Sequence, residues 1–137
     1  MFIFTNYIDN ITKKYSTFEG RATRSEFWYF MLLHNIIYTM LFFIYVIIGF
    51  ALYTREAMNL DLLYFLVSTF TLVWLITIIP GMALTCRRLH DTDKSGWLQL
   101  LILIPLIGPI VLIVFFASAG TEKENRFGPN PKPAPKL

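Results

Sequence analysis

Three stretches of this chain, 27–53, 62–86 and 97–119, run for 27, 25 and 23 residues without one Asp, Glu, Lys or Arg. About 20 apolar residues cover the ~30 Å of a bilayer's hydrocarbon core, so each stretch is long enough to cross with some tilt. A soluble helix or strand would interleave polar positions at a period of 3.6 or 2, and here polarity is missing on every face. The expected class is an all-α membrane protein, with three transmembrane helices preceded by a short amphipathic interfacial helix. A single multi-pass domain covers 1–131, and its last part overlaps a polar, Pro-rich tail at 120–137.

Insertion energies agree. The third run holds fifteen Leu, Ile, Val or Phe, each favouring the membrane by roughly 0.3–0.6 kcal/mol, which outweighs its two prolines and one glutamine. The net charge of +3 lies entirely between and outside the runs. That distribution suits anionic lipid and the positive-inside rule rather than nucleic acid. The start of the chain is too short and interrupted for the apolar core of a cleavable signal, so the first run is expected to remain as an anchor. Cys86 stands alone and reads as an apolar filler.

Along the chain, Phe4, Ile8, Ile11, Tyr15 and Phe18 recur at steps of four and three opposite Lys13 and Lys14, predicting an interfacial helix over 1–18 that Gly20 ends. A helix packed on the end of the bundle is the alternative. Thr23 and Glu26 fit a capping box, so the first span starts near Arg24. Phe27, Trp28 and Tyr29 form an aromatic belt, with Tyr53 at the opposite interface. The short connection 54–61 makes the first two spans antiparallel neighbours. Pro80 removes the hydrogen bond to the Ile76 carbonyl and predicts a kink unless a neighbour compensates. Pro105-Leu-Ile-Gly-Pro109 is a weak point in the third run. Four prolines among the last nine residues predict an extended, disordered end.

Charge counts bear on orientation. Three full spans with the N-terminus inside place seven Lys and Arg in the cytoplasm and five outside. A third run folded back at Pro105–Pro109 would give eleven against one. The positive-inside rule prefers the second arrangement. Its arms of about ten residues are too short to span, however, and its turn would expose backbone to lipid. Three spans with a cytoplasmic N-terminus are therefore expected.

In either arrangement residues 18–26 and 87–96 share one membrane face. Arg21, Arg24, Glu26, Arg87, Arg88, His90 and Asp91 meet there. They form either salt bridges that tie helix ends together or an interaction surface with arginines free for phosphate. His90, Asp91 and Asp93 do not have a recognised zinc spacing, so no metal is expected, and no cofactor motif occurs. Within the spans, His34 and Asn35 form the polar pair, expected to hydrogen-bond Ser68, Thr69, Thr71 or Thr77 of a neighbouring helix. No G-x-S-x-G elbow occurs and the sequence suggests no base partner for Cys86, so an enzyme is not expected.

Four motifs in order, Phe18-Glu-Gly-Arg-Ala-Thr-Arg-Ser-Glu-Phe-Trp28, Arg87-Arg-Leu-His-Asp91 with Ser95-Gly-Trp97, Pro105-Leu-Ile-Gly108, and Asn125-Arg-Phe-Gly-Pro-Asn-Pro131, resemble the YhaH-like family of bacterial inner-membrane proteins, a domain of unknown function numbered 805. The resemblance covers about residues 10–131. It implies a multi-pass protein of the bacterial plasma membrane and brings no activity, substrate or catalytic residue. The function expected is a non-enzymatic module binding anionic lipid headgroups, a membrane protein partner or a second copy of itself. The alternative is a small transporter or proton-conducting subunit, acting as an oligomer through His34, Asn35 and the breaks at Pro80 and Pro105.

Overall fold

The computed structural model describes residues 2–55 and 59–132 and is helical, with no strand among them. Helix α1 is Phe2–Ile11, α2 Arg24–Thr54 and α3 Leu60–Asp91; a 3-10 segment, Gly96–Leu103, and helix α4, Ile107–Ala117, complete the order. At 1.5 Å per residue α2 and α3 each exceed 45 Å, and both are long and apolar enough to cross a membrane. No residue of their most apolar stretches is fully buried within the protein. Ile47, Phe50, Tyr64 and Phe65 are among the large side chains left open, the pattern expected where lipid is the solvent.

The caps follow from sequence. Thr23 accepts from the backbone N–H of Glu26 and starts α2, and Asn59 does the same for α3 through Leu62. Tyr38 and Tyr45 hydrogen-bond Thr77 and Thr69 across the two helices, which ties them together inside the apolar region. Pro80 stays within α3. The Ile76 carbonyl it orphans accepts a hydrogen bond from the Tyr15 hydroxyl at 2.7 Å, so the compensating neighbour is the linker after α1.

Two expectations about the N-terminal segment change. Its helix ends at Ile11 rather than near Phe18, in a turn where Lys14 N–H reaches the Asp9 carbonyl. Gly20, with φ +82°, serves the linker into α2 instead. Tyr7 and Asn10 are buried against the bundle while Phe4 and Ile8 face outward. The helix thus packs on the bundle with one face and leaves an apolar face for lipid.

The third run does not form the single helix expected over 97–119. It divides into the 3-10 segment and α4, which lie side by side as a hairpin and return the chain to where α3 ends. Proline explains the break, since Pro105 and Pro109 cannot donate the hydrogen bonds a continuous helix would need there. The tip also answers the objection about exposed backbone. Ile104 N–H bonds to Leu101 O, Ile107 N–H to Pro105 O and Gly108 N–H to Ile104 O, and two prolines have no N–H to satisfy. Leu106 sits at φ 66°, ψ −56°, a γ-turn conformation that is strained for a side chain.

The arms approach so closely that a Cβ on Gly108 would lie 1.7 Å from the Leu101 carbonyl oxygen. Gly108→Ala is therefore expected to force the arms apart and cost about 1–3 kcal/mol or more. Thermal unfolding of the purified variant in detergent checks this, with a clear fall in midpoint expected and an unchanged midpoint contradicting the hairpin.

Candidate functional site

Where α3 ends, its last carbonyls need partners, as at any helix C-terminus. Three residues from two segments supply them. Ala22 N–H bonds to Arg87 O at 3.0 Å, Thr121 N–H to Asp91 O at 2.9 Å, and the Asn125 side chain donates to His90 O at 2.9 Å. The linker before α2 and the chain after α4 are thereby stitched onto one helix end.

Charges complete the knot. Asp91, almost wholly buried, holds Arg21 through Oδ1 at 2.9 Å and Arg88 through Oδ2. Arg21 also donates from Nη1 to the Lys123 carbonyl at 2.9 Å and from Nη2 to that of Thr121. Arg88, 0% exposed, donates to Phe116 O at 3.0 Å and to Ser118 O, capping the C-terminus of α4. A side chain on Gly120 would strike the Asp91 carboxylate, with its Cβ 2.0 Å from Oδ2. Alongside, Arg87 joins Glu26 at 3.2 Å and Asn10 at 2.6 Å, and Lys14 shares Glu26 at 2.8 Å. Arg87 Nε is buried without a hydrogen-bond partner.

His90 lies one turn beyond the apolar run 62–86. Its Nδ1 is 3.1 Å from Gly20 O, its Nε2 3.4 Å from Cys86 Sγ, and its ring stacks on Phe127 with centroids 3.8 Å apart. Burial pushes its pKa below the ordinary histidine range, and the Gly20 carbonyl opposes that shift. Asp93 is exposed, at φ 57° in a turn, and pairs with Arg126. With Asp91 held by two guanidiniums and Asp93 facing outward, these residues do not converge as ligands, and no cluster of three metal-binding side chains occurs among the described residues.

The seven candidates on this face do come together, and the structure separates them. Arg21, Arg87, Arg88, His90 and Asp91 are buried and Glu26 nearly so; their partners are the protein's own groups, the geometry of tied helix ends. Arg24 alone is exposed, with no hydrogen bond or ion pair among the described residues. The pair inside α2 behaves differently from expectation. His34 Nδ1 meets the Tyr7 hydroxyl at 3.3 Å, and Asn35 donates back to Met31 O at 2.8 Å. The hydroxyls of Thr69 and Thr77 go to tyrosines instead. α1 supplies the histidine's partner because it lies against α2, which the helical period of 1–18 did not specify.

The polar tail begins with a strap, 120–128, closed by the Asn125–Gly128 bridge and held by Arg21. Of the last nine residues, expected to be extended and disordered, 129–132 form no helix or strand and 133–137 lie outside the described residues. Sequence reading also missed the groove of about 480 Å³ between α2, α3 and the hairpin, bordered by Met31, His34, Trp74, Gly81, Gln99 and Phe116. No local pattern announces it, because it exists only once the third run folds back.

A family described as a protein of unknown function (DUF805) matches residues 15–129. Inner membrane protein YhaH of Escherichia coli K12 is 42% identical over 125 residues, covering 91% of this chain and 95% of the relative. Inner membrane protein YhaI of the same strain is 41% identical over 123 residues, covering 90% and 92%. No solved structure matches the chain.

Removing the shared carboxylate charge leaves two buried guanidiniums uncompensated, so Asp91→Asn is expected to cost about 3–5 kcal/mol. Arg24→Gln, changing an exposed side chain, should cost under about 0.5 kcal/mol. Comparing their unfolding midpoints in detergent checks the contrast, and equal midpoints would contradict the knot.

Proposed function

We propose that this chain, which belongs to the DUF805 family, is a non-enzymatic, multi-pass module of the bacterial inner membrane that binds its partners from within the bilayer. The observation that carries this reading is the internal use of the knot's charge beside the open apolar flanks of α2 and α3. Guanidiniums saturated by carboxylate and carbonyl oxygens have little left to offer a headgroup or a soluble protein. The groove between α2, α3 and the hairpin remains as a concave surface of ligand size. Orientation follows from charge: Arg55 is the one Lys or Arg between α2 and α3, and eleven lie before or after that connection, so the knot faces the cytoplasm together with the N-terminus.

A transport role draws support from the string Tyr7–His34–Tyr38–Thr77, joined by hydrogen bonds and a 4.6 Å ring contact. It ranks second because Thr77 turns its hydroxyl back to Val73 and Trp74 carbonyls, and among the described residues no further side-chain hydrogen bond extends the string from there.

A photoreactive benzoylphenylalanine at Met82, bordering the groove, tests the proposal against one at Glu122, exposed on the strap. Irradiation of whole cells is expected to crosslink a lipid or membrane protein from Met82 and nothing from Glu122. Crosslinks confined to Glu122 and to soluble proteins would contradict it.

A further inference from the structure

The reading above leaves the ligand's chemistry open, and the groove's surroundings narrow it. Along α3 it runs from Trp74 to Thr85, about 16 Å at 1.5 Å per residue. A narrow, mostly apolar recess of this length suits a single flexible hydrocarbon chain. The walls are mostly apolar, and Thr77 and Thr85 at the border already bond within the protein, Thr77 to Tyr38 and Thr85 to Gly81. The Gln99 amide differs: it borders the groove near the cytoplasmic end of the hairpin with no hydrogen bond among the described residues.

Above this site stands the one knot-face arginine that the protein does not use. Arg24, Trp28 and Met31 are spaced i, i+4, i+7 and so share a face of α2, and Met31 borders the groove. Phe27 from the same turn rests on Phe116 of α4, also at the groove, with ring centroids 4.5 Å apart. Trp28 is exposed beside Arg24, the side chain expected at headgroup depth.

From the juxtaposition of a free cation at headgroup level, an unpartnered amide below it and an acyl-sized groove below both, we propose that the protein binds one anionic phospholipid. Its phosphate sits at Arg24, an ester carbonyl accepts from Gln99, and one acyl chain lies between α2, α3 and the hairpin. This deepens the reading of a module that binds from within the bilayer and rests on it.

The test uses Trp74 as reporter, in full-length protein carrying Trp28→Phe and Trp97→Phe, in phosphatidylcholine vesicles. Phosphatidylglycerol or phosphatidylcholine brominated on its acyl chains is added at equal mole fraction. Brominated phosphatidylglycerol is expected to quench Trp74 about fivefold more effectively, the preference one interfacial cation provides. Arg24→Gln should abolish that preference. Gly81→Leu, whose side chain would grow into open space at the groove, should lower quenching by both lipids. Equal quenching by the two lipids in the reporter protein, or a preference surviving Arg24→Gln, would overturn the proposal. So would absence of quenching from a dimer in nanodiscs, which would assign the groove to a second copy. A membrane-protein crosslink from Met82 without lipid preference would sink this inference alone; crosslinks only to soluble proteins would sink both readings.

Discussion

One carboxylate, that of Asp91, holds the knotted end of this molecule together. Its two oxygens take Arg21 from the linker before α2 and Arg88 from its own helix, and each guanidinium then reaches carbonyls near the end of α4 or in the strap. Burying three charges has a large desolvation cost, and such clusters are weak sources of net stability. What they provide is conditional: once buried, none of the three can lose a partner cheaply. The knot therefore specifies which segments meet more than it adds to the total free energy.

That specification decides the third run. A continuous helix over 97–119 would carry residues 120–132 to the opposite membrane face and leave Arg21, Arg88 and the Asp91 carbonyl without their acceptors and donors. Proline at 105 and 109, with Gly108 between the arms, lets the run turn instead, using backbone hydrogen bonds closed within the tip. The hairpin covers α3 beside the knot and stops short of the far end of α2 and α3. The groove lies along the flank it shares with them, so the same constraint that closes the polar end leaves an apolar recess below it.

Much of this was legible in the sequence. Thr23 and Glu26 marked the start of α2, the charge-free runs marked the two long helices, and Pro80 marked the Ile76 carbonyl that Tyr15 satisfies. The grouping of Arg21, Arg87, Arg88 and Asp91 followed from two antiparallel helices alone. The hairpin was not legible, because insertion energies sum side chains and are blind to how a turn satisfies its own backbone. The strap was missed for a related reason. Its composition resembles a disordered end, and the groups that order it lie elsewhere in the chain: the buried guanidinium of Arg21, needing carbonyl acceptors, and the last carbonyls of α3 that Thr121 and Asn125 satisfy. His34 was given the wrong partner because a helical wheel shows which face α1 presents but not where it docks.

The placement of the strap beside the end of α3 is the claim on which the hairpin, the knot and the groove all stand. Single cysteines at Asp93, Glu122 and Arg55, introduced with Cys86 replaced by serine, can be labelled on intact cells with a membrane-impermeant maleimide. The account predicts protection at 93 and 122 until the membrane is permeabilised, and immediate labelling at 55. Labelling of 122 from the outside while 93 stays protected would mean the third run crosses the bilayer, and the knot described above could not exist.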